Sequence, residues 1–135
     1  MKVALISDIH ANYYALETVM ADLNKECVES VIVAGDLIGY YYWPHKVVDL
    51  IMSDKRFFCI RGNHERMFKE ALADNNMFER YRKKYGSGFD ICKKMLDKKQ
   101  LNWILSLPET LSIKFNKREF FIAHGSLKND KDYIY

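Results

Sequence analysis

The sequence predicts an α/β fold: a βαβαβ parallel sheet, then a helical insert, then an antiparallel hairpin. Two observations predict it. Three stretches repeat one order, a short apolar run, a polar cluster at its end and a segment of helical period, and further on the apolar period switches to two. The first run is Lys2 to Ile6, closing on Ser7, Asp8, Ile9 and His10. Asn12 is placed to cap a helix in which Ala15, Leu16, Val19, Met20 and Leu23 recur at helical spacing. The second run, Val31 to Ala34, closes on Gly35 and Asp36. Pro44 suits the first turn of the next helix, where its missing N–H costs nothing, and Val47, Val48, Leu50 and Ile51 point inward. The third run, Phe57 to Ile60, closes on Arg61, Gly62, Asn63 and His64.

From about Glu65 to Leu107 the pattern is helical, divided at Gly86 and Gly88. Asp97 with Gln100 forms a capping-box pattern for a helix carrying Leu101, Trp103, Ile104 and Leu107, and Pro108 stops it. Leu111, Ile113 and Phe115 then alternate with Ser112, Lys114 and Asn116. A tight Asn116-Lys117-Arg118 connection leads into a second strand, Glu119 to Ala123, which ends at His124 and Gly125.

A length of 135 residues fits one domain over 1–135, and 49% apolar with 29% charged residues excludes a disordered or fibrous chain. The net charge of +3 is too small to argue for nucleic acid. The clusters Arg80 to Lys84 and Lys93 to Lys99 read as solvated helix faces, so nucleic acid is not an expected partner. Cys27, Cys59 and Cys92 are odd in number with no close pair, which suggests neither a disulfide framework nor a zinc ribbon and fits a reducing cytoplasm. The apolar opening from Met1 to Ile6 meets Ser7 and Asp8 too soon for a signal peptide, and no apolar window is long enough to expect a membrane span.

The chemistry is positional. Asp8, His10, Asp36, Asn63, His64 and His124 all fall at or just past the C-terminal ends of predicted strands, the edge where α/β sheets bind ligands. Asp8 and His10 are two residues apart, so in extended geometry both side chains share one side, as two ligands of one ion must. An oxygen and nitrogen set without thiolate suits Mn, Fe, Zn or Ni better than Mg. Gly35 leaves room for the Asp36 carboxylate to bridge two ions. Such a pair, roughly 3.5 to 4 Å apart, would acidify a bridging water and clamp the oxygens of a phosphate. His64 beside Asn63 is then placed to protonate a leaving alkoxide. Singly, each residue has a plainer reading: an Asp after a strand is often a helix cap, His45 reads as a satisfied surface or core residue, Arg61 and Glu65 as flanking residues, and Tyr40 to Trp43 as packing under a loop rather than lining a mouth. Three of the four histidines on one rim, with two Asp and an Asn, outweigh those readings together.

Ser7-Asp8-Ile9-His10-Ala11-Asn12, Gly35-Asp36-Leu37-Ile38-Gly39-Tyr40, Gly62-Asn63-His64-Glu65 and Ala123-His124-Gly125 resemble, in order, the first four blocks of the calcineurin-like metallophosphoesterase superfamily. The first two are similar to its bacterial and archaeal phosphodiesterase-like branch, and Leu107 to Leu111 fits as well. The resemblance implies the N-terminal portion of an α/β/β/α sandwich and a dinuclear-metal phosphodiesterase or phosphomonoesterase acting on a small phosphate ester. It implies Asp8, His10 and Asp36 on one ion, Asp36, Asn63 and His124 on the other, and His64 as proton donor. Manganese is the expected metal, with iron, zinc or nickel as alternatives. The family's Gly-His-x-His block has no counterpart before Tyr135, so a C-terminal truncation is expected; the alternatives are histidines supplied from elsewhere, or a catalytically impaired scaffold for protein interaction. A sheet face left uncovered in this way would favour a homo-oligomer or strand exchange.

Overall fold

The computed structural model describes residues 2–130 and 132; the expectation about the chain end at Tyr135 lies outside the described residues. Three strands, β1 (Val3–Ile6), β2 (Ser30–Val33) and β3 (Phe57–Cys59), form a parallel sheet in the order β1-β2-β3. Leu5 pairs with Ile32, and Ile32 with Phe58, so these three side chains share one face. Helices α1 (Tyr13–Lys25) and α2 (Pro44–Ser53) make the two crossovers that parallel strands require. Asn12 caps α1 through a bond from the Ala15 N–H (3.3 Å), and Pro44 occupies the first turn of α2, both as the sequence predicts.

The helical stretch resolves into α3 (Asn63–Ala73), α4 (Asn75–Tyr85), α5 (Gly88–Met95) and α6 (Lys98–Ser106). It begins at Asn63 rather than Glu65, and it breaks at Asp74 and at Leu96 as well as at Gly86, with Gly88 opening α5 rather than dividing the stretch. Asp74 is extended and its carboxylate accepts the Asn76 N–H (2.8 Å), ending one helix and capping the next. The capping box of α6 forms as predicted, with Gln100 N–H on Asp97 Oδ1 at 2.8 Å and Asp97 N–H on Gln100 Oε1 at 3.0 Å. The hairpin pairs β4 (Thr110–Phe115) with β5 (Arg118–Ala123), and Asn116 at φ 56° makes the turn tight enough that β5 starts one residue earlier than expected.

One apolar cluster joins Leu16 and Met20 of α1, Val47, Val48 and Ile51 of α2, Phe68 of α3, Phe89 of α5 and Ile104 of α6 against Val33. A second joins Ile32 and Ile60 to Ile122, with Leu111, Ile113 and Phe115 packed on it. The central strand β2 therefore buries Val31, Ile32 and Val33 in succession, whereas β1 leaves Val3 and Leu5 exposed. The basic clusters on α4 and α5 are exposed, as expected of solvated helix faces. Cys27, Cys59 and Cys92 are all free. No helix among the described residues is long and apolar enough to cross a membrane.

Candidate metal centre

All six rim residues converge on one cavity. It has a volume of about 540 Å³ and is lined by Asp8, His10, Asp36, Asn63, His64 and His124, together with Tyr40, Met67 and Tyr85. The convergence of Asp8 with His10 does not come from extended backbone. Asp8, His10 and Ala11 lie at φ 55°, 49° and 64°, a region that L-residues seldom occupy. What holds them there is a ladder to the loop after β2: Asp8 N–H to Gly35 O (3.2 Å), His10 N–H to Asp36 O (2.9 Å) and Ala11 N–H to Leu37 O (2.7 Å). Asp36 itself lies at φ 56°. Strained residues gathered on two neighbouring loops mark a place that the surrounding structure over-determines, as functional sites commonly are.

Asp36 is 3% exposed and central. Its Oδ1 accepts the His64 N–H at the start of α3 (2.8 Å), while its Oδ2 lies 3.7 Å from His10 Nε2 and 3.5 Å from His124 Nε2. The bare backbones of Gly35 and Gly62 make this approach possible: a Cβ on Gly35 would stand 2.6 Å from Gly62 Cα and 2.9 Å from His124 Nδ1. Burial pushes the Asp36 carboxyl up to about 6, against the bond from the His64 N–H, which lowers it. Asp8 is more exposed and takes a short hydrogen bond from the Ser7 hydroxyl; its Oδ1 lies 3.6 Å from His10 Nε2.

The ring nitrogens give the clearest test of whether these residues fit a cation. A carbonyl oxygen only accepts, so His10 Nδ1–H donates to Ile38 O (3.2 Å) and His124 Nδ1–H donates to Ala34 O (2.7 Å). In the neutral rings both Nε2 atoms then present lone pairs toward the oxygens of Asp8, Asp36 and Asn63, with His124 Nε2 only 2.9 Å from Asn63 Oδ1. Asn63 turns its Nδ2 to Met67 Sδ (3.7 Å), which leaves Oδ1 facing the cavity. Lone pair facing lone pair is repulsive unless a proton or cation lies between, and backbone carbonyls that orient metal-binding imidazoles are the usual outer partners of such sites. The donor set therefore fits divalent cations. Potential ligand atoms fall into two groups that share Asp36, namely His10, Asp36 and His64, and Asp8, Asp36 and His124, each within 4.8 Å. This grouping differs from the sets implied by the resemblance, which put Asp8 with His10 and kept His64 apart.

His64 is buried and its Nδ1 has no hydrogen-bond partner among the described residues. Burial, with His10 nearby, lowers its imidazole to about 4, so in the metal-free protein it is neutral near pH 7. His45 lies apart in the first turn of α2. Its Nδ1 is buried without a partner among the described residues, so it is not the satisfied residue the sequence suggested.

Sequence reading treated two contributors too lightly. Glu65, taken as a flanking residue, is 2% exposed and its carboxylate accepts four backbone N–H groups: Asp36 (2.9 Å) and Gly62 (2.7 Å) on Oε2, Leu37 (2.8 Å) and Ile38 (3.1 Å) on Oε1. It thus fixes the loop that carries Asp36 to the start of α3. Tyr40, Tyr41 and Tyr42 are exposed rather than packed under a loop, and Tyr40 lines the cavity.

A parallel sheet with crossover helices, its metal-fitting residues on the loops past the strand ends, defines a mixed α/β protein of the metallophosphoesterase type. The chain belongs to the calcineurin-like phosphoesterase family, whose model matches residues 1–134. It is 29% identical over 136 residues to the uncharacterized protein MJ0912 of Methanocaldococcus jannaschii, covering 98% of this chain and 53% of that protein. Among solved structures, a metallophosphoesterase from Sphaerobacter thermophilus matches with a TM-score of 0.76 and 28% identity over 100% of this chain and 51% of that one. The hypothetical protein PH1004 from Pyrococcus horikoshii matches with a TM-score of 0.78 and 22% identity over 98% and 58%, a likeness of fold. The chain spans about half the length of these relatives.

Proposed function

We propose that the chain forms a two-metal centre that hydrolyses a small phosphate ester, a diester or a monoester. The observation that carries the reading is Asp36 Oδ2 lying between His10 Nε2 and His124 Nε2, where one carboxylate can serve two cations. Asp8, His10, Asp36, Asn63 and His124 hold the metals, with manganese the first choice and iron, zinc or nickel the alternatives. When bound, two such cations supply Lewis-acid clamping of phosphate oxygens and an acidified water. The protein's own part is positional. Glu65 pins the Asp36 loop, and the carbonyls of Ile38 and Ala34 aim the two imidazoles.

His64 is the proton donor to the leaving oxygen. Burial holds it neutral in the metal-free protein, and the negative charge of a bound phosphate would act in the opposite direction, favouring the protonated ring that the step needs. The test is hydrolysis of bis-p-nitrophenyl phosphate with added manganese. Turnover that depends on the metal and falls about a hundredfold or more in His64→Ala supports the reading. No metal-dependent turnover, or equal turnover in both proteins, would return the chain to the role of a protein-interaction scaffold. Three free cysteines accord with a reducing cytoplasm as its location. The exposed side chains of Val3, Leu5 and Phe121 further support self-association of this chain on its own.

A further inference from the structure

We propose that Tyr40 and Tyr85 form an aromatic wall that selects phosphate esters bearing a planar ring, a nucleoside or aryl ester, over alkyl esters. The inference rests on the metal-centre reading above and names the substrate class of that site. Both tyrosines line the cavity that holds the metal-fitting residues. The Tyr40 ring lies 4.8 Å from the His10 ring and 4.8 Å from the His64 ring, and the Tyr85 ring lies 5.7 Å from His64 and 6.4 Å from Tyr40. An ester group leaving toward His64 therefore departs beside these two rings.

Among the described residues no Lys or Arg lines the cavity, and of its two further carboxylates Asp130 is engaged by Arg66 and Asp132 by the Ser126 hydroxyl. Lys84 reaches the Tyr85 ring, with Nζ 5.0 Å from the centroid, but is not part of the lining. Discrimination beyond the phosphate then falls to apolar and aromatic surface, which prefers offset or edge contacts with a planar ring.

The wall is also held in place before any ligand arrives. Tyr40 is 47% exposed, yet its loop is pinned by Glu65 two residues earlier, at the Leu37 and Ile38 N–H groups. Tyr85 ends α4, and the chain reverses at Gly86 (φ 82°) into α5. There Gly88 packs so closely on the Gly39 carbonyl that any Cβ would collide with it, which locks the start of α5 to the Tyr40 loop. The backbone that carries the two rings is thus fixed before binding, which leaves only side-chain torsions to order.

Phenylphosphonate and methylphosphonate carry the same non-hydrolysable head group and differ in the ring alone. Calorimetric titration of the manganese-loaded protein should show the phenyl compound binding about tenfold tighter, the factor that ~1.4 kcal/mol supplies. Tyr40→Leu and Tyr85→Leu should each lower the phenyl-to-methyl ratio toward one, and Tyr85→Phe should retain it. Equal affinities in the unaltered protein, or a ratio unmoved in both leucine variants, overturns the wall while leaving the metal centre standing. If the leucine variants lose both ligands, Tyr85→Phe decides: a retained ratio supports the ring, a lost ratio overturns it. Binding of neither compound by the unaltered protein overturns the metal-centre reading, and the wall with it.

Discussion

Asp36 and His64 titrate in opposite senses in the metal-free protein, and the consequence can be measured. His64, lowered to about 4 from an ordinary 6.5, binds its proton more readily in the unfolded chain, so between those values folding gains stability as pH rises. Asp36, pushed up to about 6 from 3.8, binds its proton more readily in the fold, so between those values stability falls as pH rises. Over pH 4 to 6 the two slopes offset each other. His64→Ala removes one of them, and the metal-free variant should lose stability steadily from pH 4 to 6 while the unaltered protein changes less. Urea midpoints at half-unit steps read this directly, and a variant that gains stability across the interval would contradict the account. At this scale the sequence showed which polar side chains meet, because each follows an apolar run and strand ends share an edge. It did not show Glu65 or Tyr40. A carboxylate that turns inward to four N–H groups and one that faces solvent look alike in sequence. Tyr40 follows the same rule in reverse, since an aromatic run reads as packing unless the loop beneath it is known to be pinned.

Two loops and the start of α3 act as one unit. The loop after β2 gives three N–H groups to Glu65, the N-cap Gly62 gives a fourth, and Asp36 returns the contact through the His64 N–H. Glu65→Ala would leave four buried donors without an acceptor, each costing about 1–3 kcal/mol, partly relieved by water. A loss of at least ~3 kcal/mol is expected from denaturant unfolding, together with weaker manganese binding as Asp36 loses its place. A loss below ~1 kcal/mol would show that the loop holds its shape without the clasp. Caps and periods made the elements legible, and Asn12, Pro44 and the Asp97–Gln100 box stand where their chemistry placed them. The turn through Asp8, His10 and Ala11 was read as extended because its positive φ values answer to hydrogen bonds to a loop 26 or 27 residues away. Local propensity carries no trace of such partners.

At the scale of the whole molecule, the sheet is covered unevenly. Helices pack on one face, where Val31 and Val33 are buried and Ala4, Ile6, Phe57 and Cys59 half-buried, whereas the hairpin packs on the other face against Ile32 and Ile60 and leaves Leu5 exposed. Val3 and Leu5 share that face with the buried Ile32, yet they are 39% and 68% exposed. Among the described strands β1 pairs on one side alone, so its other edge offers unpaired N–H and C=O groups beside the apolar patch. In relatives of about twice the length, further chain is available to cover such a face. The 135-residue chain by itself has a second copy as the readiest cover, through pairing at the β1 edge or exchange of that strand. Light scattering over a concentration series should therefore show mass rising above that of one chain, and Leu5→Glu should shift the distribution back toward the monomer, because a carboxylate there would have to be buried unpaired. Metal content should be equal in the two proteins, since Leu5 does not line the cavity that holds the candidate ligands. A clean monomer of the unaltered chain at high concentration would mean that this face tolerates water, and that edge pairing does not occur.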